Sequence, residues 1–382
     1  MAVRIPLSVP VVGPAERELL LEALDSGWIT PAGPQLDAFE AEVARCTGRA
    51  RAVGVSSGTA ALHLALLVAG VREGDAVLCP TLSFIASANA ISHARAVPVF
   101  VDCDATGNMA PGLLEEAVAA AERTGRRVGA ILAVDLYGKV ADHDAIGAIA
   151  RAHGLPLVVD AAESLGARRG ERPAGSHGDI AAVSFNGNKI VTASSGGAVL
   201  TDDDELADRA RHLATQAREP VPHYEHRVIG YNYRLSNILA ALGLAQLRRL
   251  PEFLGARRAH REAYRALCAE AAGLEILGGD DEGDNCWMTS VLVDPAATGQ
   301  DPVRLREHLA LAGIEARPVF APLHSQPVYA DPVAYPRVLD GTADRLFATG
   351  LTLPSSPASS PQDVAEVCER LAGALARTGA AA

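Results

Sequence analysis

From residue 52 to residue 201 the chain alternates between short apolar runs and stretches with helical spacing, and this alternation narrows the choice of fold more than any other feature. Apolar runs fall at 52–55, 76–80, 97–101, 128–136, 155–160, 180–185 and 197–201. Helical spacing fills 60–69, 84–93, 111–124 and 143–153. The runs are apolar almost throughout rather than at alternate positions, as strands are when both faces of the sheet are covered. Strands joined through helices return to the same end of the sheet before restarting, which makes the sheet mainly parallel. The expected fold class is α/β, with a large, mainly parallel sheet of the seven-stranded type.

The flanks complete the layout. Helices are expected at 14–26 and 34–47, then at 203–217, 236–249 and 251–273, with Pro251 at the junction of the last two. From about 275 the texture changes to a strand at 288–293, a helix at 303–312, a strand at 314–320, a helix at 342–349 and a last helix from 361. The expectation is a large domain over 1–250 and a smaller α+β domain over 251–382.

A net charge of −12 argues against binding nucleic-acid polymers or anionic surfaces. Six cysteines (Cys46, Cys79, Cys103, Cys268, Cys286 and Cys368) form no C-x-x-C pair. They suggest neither a zinc site nor a disulfide framework, and fit reduced thiols in the cytoplasm. No signal-peptide core and no membrane-length apolar stretch occurs, so no membrane association is expected.

Of 34 basic residues only two, Lys139 and Lys189, are lysine. A chain that uses arginine for ordinary charge keeps lysine where an amine must lose its proton. The alternative is chance in an arginine-biased composition. Lys189 lies in Ser184-Phe185-Asn186-Gly187-Asn188-Lys189, followed by Gly196-Gly197. A Walker phosphate loop does not fit, because Ala182 stands where the first glycine belongs and Ile190 follows the lysine. Upstream, strand, Ser56-Ser57-Gly58-Thr59 and helix make either an ordinary N-cap or an anion cradle of backbone N–H groups. Asp160 ends the apolar run Leu157-Val158-Val159. In open α/β sheets ligands bind at the carboxyl ends of strands. Carboxylate, lysine and cradle on one sheet describe a pyridoxal phosphate (PLP) site. Phe84 either stacks on the cofactor ring or belongs to the core.

At this point the chain resembles the DegT/StrS family of sugar aminotransferases, PLP enzymes of fold type I. The resemblance runs through Ser26-Gly27-Trp28-Ile29, Ser57-Gly58-Thr59-Ala60-Ala61-Leu62, Pro80-Thr81 with Ser83-Phe84, Leu136-Tyr137-Gly138, Asp160-Ala161-Ala162-Glu163, Gly178-Asp179-Ile180, Ser184-Phe185 with Lys189, Gly230-Tyr231-Asn232-Tyr233-Arg234 and the run from Leu351 to Ser355. It implies that Lys189 bonds to the cofactor and then carries the proton, and that Asp160 pairs with the pyridine nitrogen. It further implies that Thr59, Ser184 and the backbone of Gly58 to Ala60 hold the phosphate and that Phe84 stacks on the ring. Glu163 takes the cofactor's hydroxyl side, where many relatives have His. Asn232 is expected to reach the phosphate of the neighbouring subunit, making a homodimer with shared sites.

Further stretches, among them Ala214 to Glu219, His223-Tyr224-Glu225-His226, Trp287-Met288-Thr289 and Arg317-Pro318-Val319, are similar to C4 aminotransferases acting on UDP-4-keto-6-deoxy-N-acetylglucosamine. That subgroup has Trp and Lys where this chain has Phe320 and Ala321. The expected substrates are a nucleotide-linked keto sugar and L-glutamate. Trp28, Asn188, His223, Arg234, Arg317 and His324 are the expected substrate-binding positions, with no metal. Alternatives are a dTDP- or GDP-linked keto sugar, a cyclitol ketone, a PLP-dependent sugar dehydratase, or a non-catalytic effector-binding protein.

Overall fold

The computed structural model describes residues 3–379. The strands in chain order are β1 (Arg51–Val55), β2 (Ala76–Pro80), β3 (Val97–Val101), β4 (Val128–Val134), β5 (Leu157–Asp160), the short hairpin β6 (Arg168–Arg169) and β7 (Arg172–Pro173), β8 (Ile180–Ser184), β9 (Gly197–Thr201), β10 (Leu274–Ile276), β11 (Thr289–Val293), β12 (Arg317–Pro318), β13 (Arg337–Val338) and β14 (Gly350–Leu353). The large sheet has eight strands in the order β1-β9-β8-β5-β4-β2-β3-β13. β9 runs antiparallel to both β1 and β8, and the remaining pairs are parallel.

The near-continuous apolar runs have the burial they call for, since all positions of β2, β4, β5, β8 and β9 are buried. One core cluster lies on each face. Helices Pro34–Thr47 and Asn237–Arg248 contribute to the first, and Gly58–Val68 and Asp204–Ala214 to the second. The parallel strands end along one edge. Register places Val134 beside Asp160 and Asp160 beside Ala182, so the segments that follow β4, β5 and β8 emerge side by side.

The smaller sheet is antiparallel, in the order β10-β11-β14-β12, and covers a third cluster with helices Leu250–Glu270, Pro302–Leu311 and Pro361–Gly379. The chain crosses between the two halves outside position 250. Ile5 packs into the small cluster and bridges Ile314, while β13 extends the large sheet beside β3.

Three expectations need correction. The run 314–320 forms a ladder only at Arg317–Pro318, with a single bridge from Ile314 to Ile5. Pro318 and Pro322 offer no N–H, so a longer ladder cannot form. The run 128–136 stops at Val134, where Leu136–Gly138 turns with Tyr137 in the left-handed region at φ 53°. Strands β10 and β14 had no counterpart in the sequence pattern, because three or four residues are too few for a period to show. Among the described residues no helix is long and apolar enough to cross a membrane.

Candidate active site

The edge formed by the ends of β2, β4, β5 and β8 encloses a cavity of about 240 Å³ lined by Ser57, Gly58, Thr59, Phe84, Asp160, Glu163, Ser184, Asn186 and Lys189 among others. At one end is the N-terminus of helix Gly58–Val68. Its N-cap, Ser57, accepts from Ala60 N–H at 3.0 Å through its hydroxyl. That bond occupies the Ala60 amide, which leaves Gly58 and Thr59 as the first-turn N–H groups facing the cavity. Gly58 has to lack a side chain, since a Cβ there would lie 2.7 Å from Ser184 Cβ. Gly197 is held just as closely, for its Cβ would fall 2.5 Å from the Ser57 carbonyl oxygen. Ser195 Oγ donates to the Ser56 carbonyl at 2.7 Å and ties the same loop from the other side.

At the other end Asp160 is buried. Its Oδ2 accepts from Ser87 Oγ at 2.7 Å and its Oδ1 from Ala162 N–H at 3.1 Å. Burial pushes its pKa up to about 6 despite those two donors. Among the described residues no cation is in contact with it, and Lys189 lowers its pKa only as the last of the influences on it, so the carboxylate has room for a positive partner. A protonated pyridine nitrogen would supply one. Phe84 is 52% exposed, which removes it from the core and leaves its ring at the cavity mouth.

Lys189 Nζ lies 3.2 Å from Glu163 Oε1. The other oxygen of Glu163 accepts from Tyr137 N–H at 2.8 Å, which the left-handed turn at Tyr137 aims at it. Lys189, Glu163, Phe84 and Asn186 also line a second cavity of about 450 Å³, walled by Tyr137, Trp287, Phe320, Phe347 and Arg317 from both halves of the chain. Lys189 thus stands in the partition between a polar cavity and an aromatic one. The other lysine is structural. Lys139 Nζ sits 2.9 Å from Asp284 Oδ2, with Arg261 3.0 Å from the same oxygen, all three side chains buried.

The structure gathers Gly58, Thr59, Phe84, Asp160, Glu163, Ser184 and Lys189 around the first cavity, while the Ala60 amide is turned to its own N-cap. Of the expected substrate positions, Asn188 and Arg317 line the second cavity, the latter 2.6 Å from Glu315. The others lie elsewhere on this chain. Arg234 is buried against Glu40 and donates to the Gly54 carbonyl at 2.9 Å. His324 Nδ1 is 2.7 Å from Thr81 Oγ1, and exposed His223 is 3.2 Å from Glu225. Trp28 lines a shallow depression beside Arg211 and Arg234. Asn232 is exposed and outside the wall of its own chain's cavity. Sequence reasoning gave no role to Ser87 or Tyr137. The signal for Ser87 was a hydroxyl at the second position of the helix that follows Phe84, and for Tyr137 a Tyr-Gly pair closing an apolar strand.

A parallel sheet with an anion cradle, a buried carboxylate and a lysine at one edge defines a PLP-dependent transferase of fold type I. Residues 11–372 match the DegT/DnrJ/EryC1/StrS aminotransferase family, and the chain belongs to it. Enzymes of this family depend on PLP and act on sugars. The chain is 41% identical to the putative pyridoxal phosphate-dependent aminotransferase EpsN of Bacillus subtilis (strain 168), over 96% of this chain and 95% of that one. It is 37% identical to GDP-perosamine synthase of Escherichia coli O157:H7, over 96% and 97%. The structure of DesI in the presence of its TDP-sugar product superposes with a TM-score of 0.89 at 32% identity, over 99% and 94%.

Proposed function

We propose that this aminotransferase moves the amino group of L-glutamate to the C4 ketone of a 4-keto-6-deoxy sugar on a nucleoside diphosphate, with UDP-4-keto-6-deoxy-N-acetylglucosamine as the acceptor. The observation that carries the reading is Lys189 Nζ, 3.2 Å from Glu163, in the partition between the cavity that fits the cofactor and the aromatic one beside it. In the first cavity the Gly58 and Thr59 amides with the Ser184 hydroxyl would hold the phosphate. Asp160 would hold the ring nitrogen, and Phe84 would cover the ring. When bound, PLP supplies an aldehyde carbon for the amine and a ring that accepts the electron pair.

The protein's own part is proton movement and orientation. When free of the cofactor, Lys189 Nζ would take the proton from the donor's α-carbon and hold it for return to carbon. In the second half-reaction it moves a proton the opposite way, onto C4 of the sugar. Glu163 and the Tyr137 amide orient the amine. The aromatic walls of the second cavity suit the apolar face of a 6-deoxy sugar, and Arg317 at its edge suits a phosphate.

The UDP carrier rests on the sequence stretches shared with the C4 subgroup. The name of the GDP-perosamine synthase relative favours a second reading, a GDP-linked acceptor. Exposed Asn232, outside its own cavity, supports a homodimer in which it serves the neighbouring site. Six free thiols support a cytoplasmic location. The test offers UDP-, GDP- and dTDP-4-keto-6-deoxy sugars with glutamate and measures product mass. Amination of the UDP sugar with the highest kcat/KM is expected. Preference for another base overturns the carrier, and turnover by Lys189→Ala overturns the mechanism.

A further inference from the structure

Trp287 comes from the small half of the chain, almost a hundred positions from Lys189, yet it is tied to that lysine twice. Lys189 Nζ lies 4.2 Å from the centroid of the indole. The indole Nε1–H donates at 2.7 Å to the carbonyl of Asn188, the peptide just before Lys189. Ser8 Oγ donates to the same carbonyl at 3.2 Å. Trp287 is itself fixed on all sides. Its N–H donates to Asn285 Oδ1 at 2.8 Å, and its carbonyl accepts from Arg257 at 2.7 Å. Its ring is tilted 26° to that of Tyr137 with centroids 6.4 Å apart, and Tyr137 stacks on Phe320 at 4.8 Å. Trp287 is 2% exposed and lines the aromatic cavity but not the cofactor cavity.

A lysine that alternates between a covalent bond and a free ammonium needs a place for the ammonium. Glu163 offers a carboxylate, but its second oxygen is committed to the Tyr137 amide. An aromatic face favours the charged form more weakly and without a competing acceptor atom.

We propose that Trp287 is a positioning residue for proton transfer: its indole face receives the Lys189 ammonium during the interval when the lysine is free of the cofactor, and its Nε1–H fixes the peptide from which that lysine swings. The step it serves is balanced. The carbon–hydrogen bond of the donor breaks, its electron pair stays with the carbon, and the proton forms a new N–H bond on Lys189 Nζ. The charged and titratable groups around this amine are Asp160 at the end of β5, Glu163 after it, the Tyr137 hydroxyl after β4 and Arg317 on the small sheet. Trp287 adds a preference for the cation without adding a titrating group.

The inference rests on the transamination reading, and its test separates the two. The first half-reaction is followed by absorbance with glutamate and with α-deuterated glutamate. Conversion of the wild-type cofactor by glutamate is the control; its failure refutes the donor and leaves the variants to be compared with whichever amino acid converts it. Cofactor loading, read by borohydride trapping on Lys189, is expected to stay unchanged in Trp287→Phe and Trp287→Leu. With a cation–π contribution of roughly two- to thirty-fold, Trp287→Leu is expected to slow conversion by a factor in that range and to raise the isotope effect. Trp287→Phe, which keeps a π face, is expected to recover part of the rate.

Because a buried tryptophan is replaced, a shape-preserving series guards the result. Trp28 and Trp287 are the only tryptophans. In a Trp28→Phe parent, whose own rate is the reference, mono-, di- and trifluorotryptophan therefore report on position 287 alone. The logarithm of the rate is expected to fall steadily with fluorination. A rate independent of fluorination, or a slowed Trp287→Leu with an unchanged isotope effect, overturns the proposal.

Discussion

Asp160→Asn is expected to stabilise the cofactor-free protein while abolishing its fitness for the cofactor. Asp160 is buried with no cation in contact, and burial raises its folded pKa from 3.8 to about 6. Folding therefore favours the protonated acid. The associated stability is present below the unfolded pKa near 4 and is lost as pH rises through about 6. The shift of roughly two units corresponds to about 3 kcal/mol, all of it forfeited by pH 7 and above. Asparagine never ionises and escapes this loss, while its amide still meets Ser87 and the Ala162 amide. At about 2.1 cal/mol/K per residue the chain's unfolding entropy is about 0.8 kcal/mol/K, so the gain equals a rise of about 4 °C in midpoint. The assay is thermal unfolding of dialysed wild type and variant from pH 4.5 to 8, at one fixed protein concentration. The variant's advantage should be small at the acid end and full above pH 7. Adding PLP at pH 8 should reverse the order, since only the carboxylate pairs with a protonated ring nitrogen. Parallel pH profiles for the two proteins would refute the assignment of Asp160 as an uncompensated buried acid.

Asp284 is the opposite case: burial pushes its carboxyl up, but Lys139 and Arg261 outweigh that and hold it below the usual range. Its contribution is present above pH 4 and disappears as acid protonates it. Asp284→Asn should cost about 3–5 kcal/mol at pH 7, and Lys139→Met with Asp284→Asn should cost less than the sum of the single changes, as read from urea midpoints. Gly197→Ala places a Cβ 2.5 Å from the Ser57 carbonyl oxygen, where only backbone can give way. It should cost about 1–3 kcal/mol and weaken PLP binding, measured by absorbance titration, because Gly58 and Thr59 move with Ser57. Glu40 joins buried Arg234, Arg211 and the Gly54 amide, so Glu40→Gln should lower stability by about 1.5–3 kcal/mol, seen in thermal unfolding of the loaded enzyme, while leaving the visible cofactor band intact.

The sheet and one side of the cavity could be read along the chain because each depends on local chemistry. A strand covered on both faces is buried throughout and mostly apolar, and β2, β4, β5, β8 and β9 show this over four to seven consecutive residues, with Asp160, Ser184 and Thr201 as polar last positions of β5, β8 and β9. Lys189 follows β8, Asp160 ends β5, and the Ser57 to Thr59 turn follows β1. The parallel register of β5 and β8 brings the first two to one edge, and the antiparallel ladders of β9 with β8 and β1 bring the turn beside them. Arg234 shows the limit of this kind of reading. As a basic residue in a loop it was a candidate for substrate phosphate, and it is instead buried on a carboxylate that lies almost two hundred positions earlier.

Folding alone decided which distant groups meet Lys189. Tyr137 reaches Glu163 through a left-handed turn that no periodicity announces, and Trp287 arrives from the small sheet through Asn285, whose amide bonds the carbonyls of Glu163 and Leu165. The crossing of Ile5 into the small core and of β13 into the large sheet was equally invisible, because a two-residue pairing leaves no pattern. Amino-acid order fixes what a strand, a cap or a turn can be, since those energies are summed over neighbours. Which wall a side chain faces is settled by contacts made across hundreds of positions, and those exist only once the chain has closed on itself.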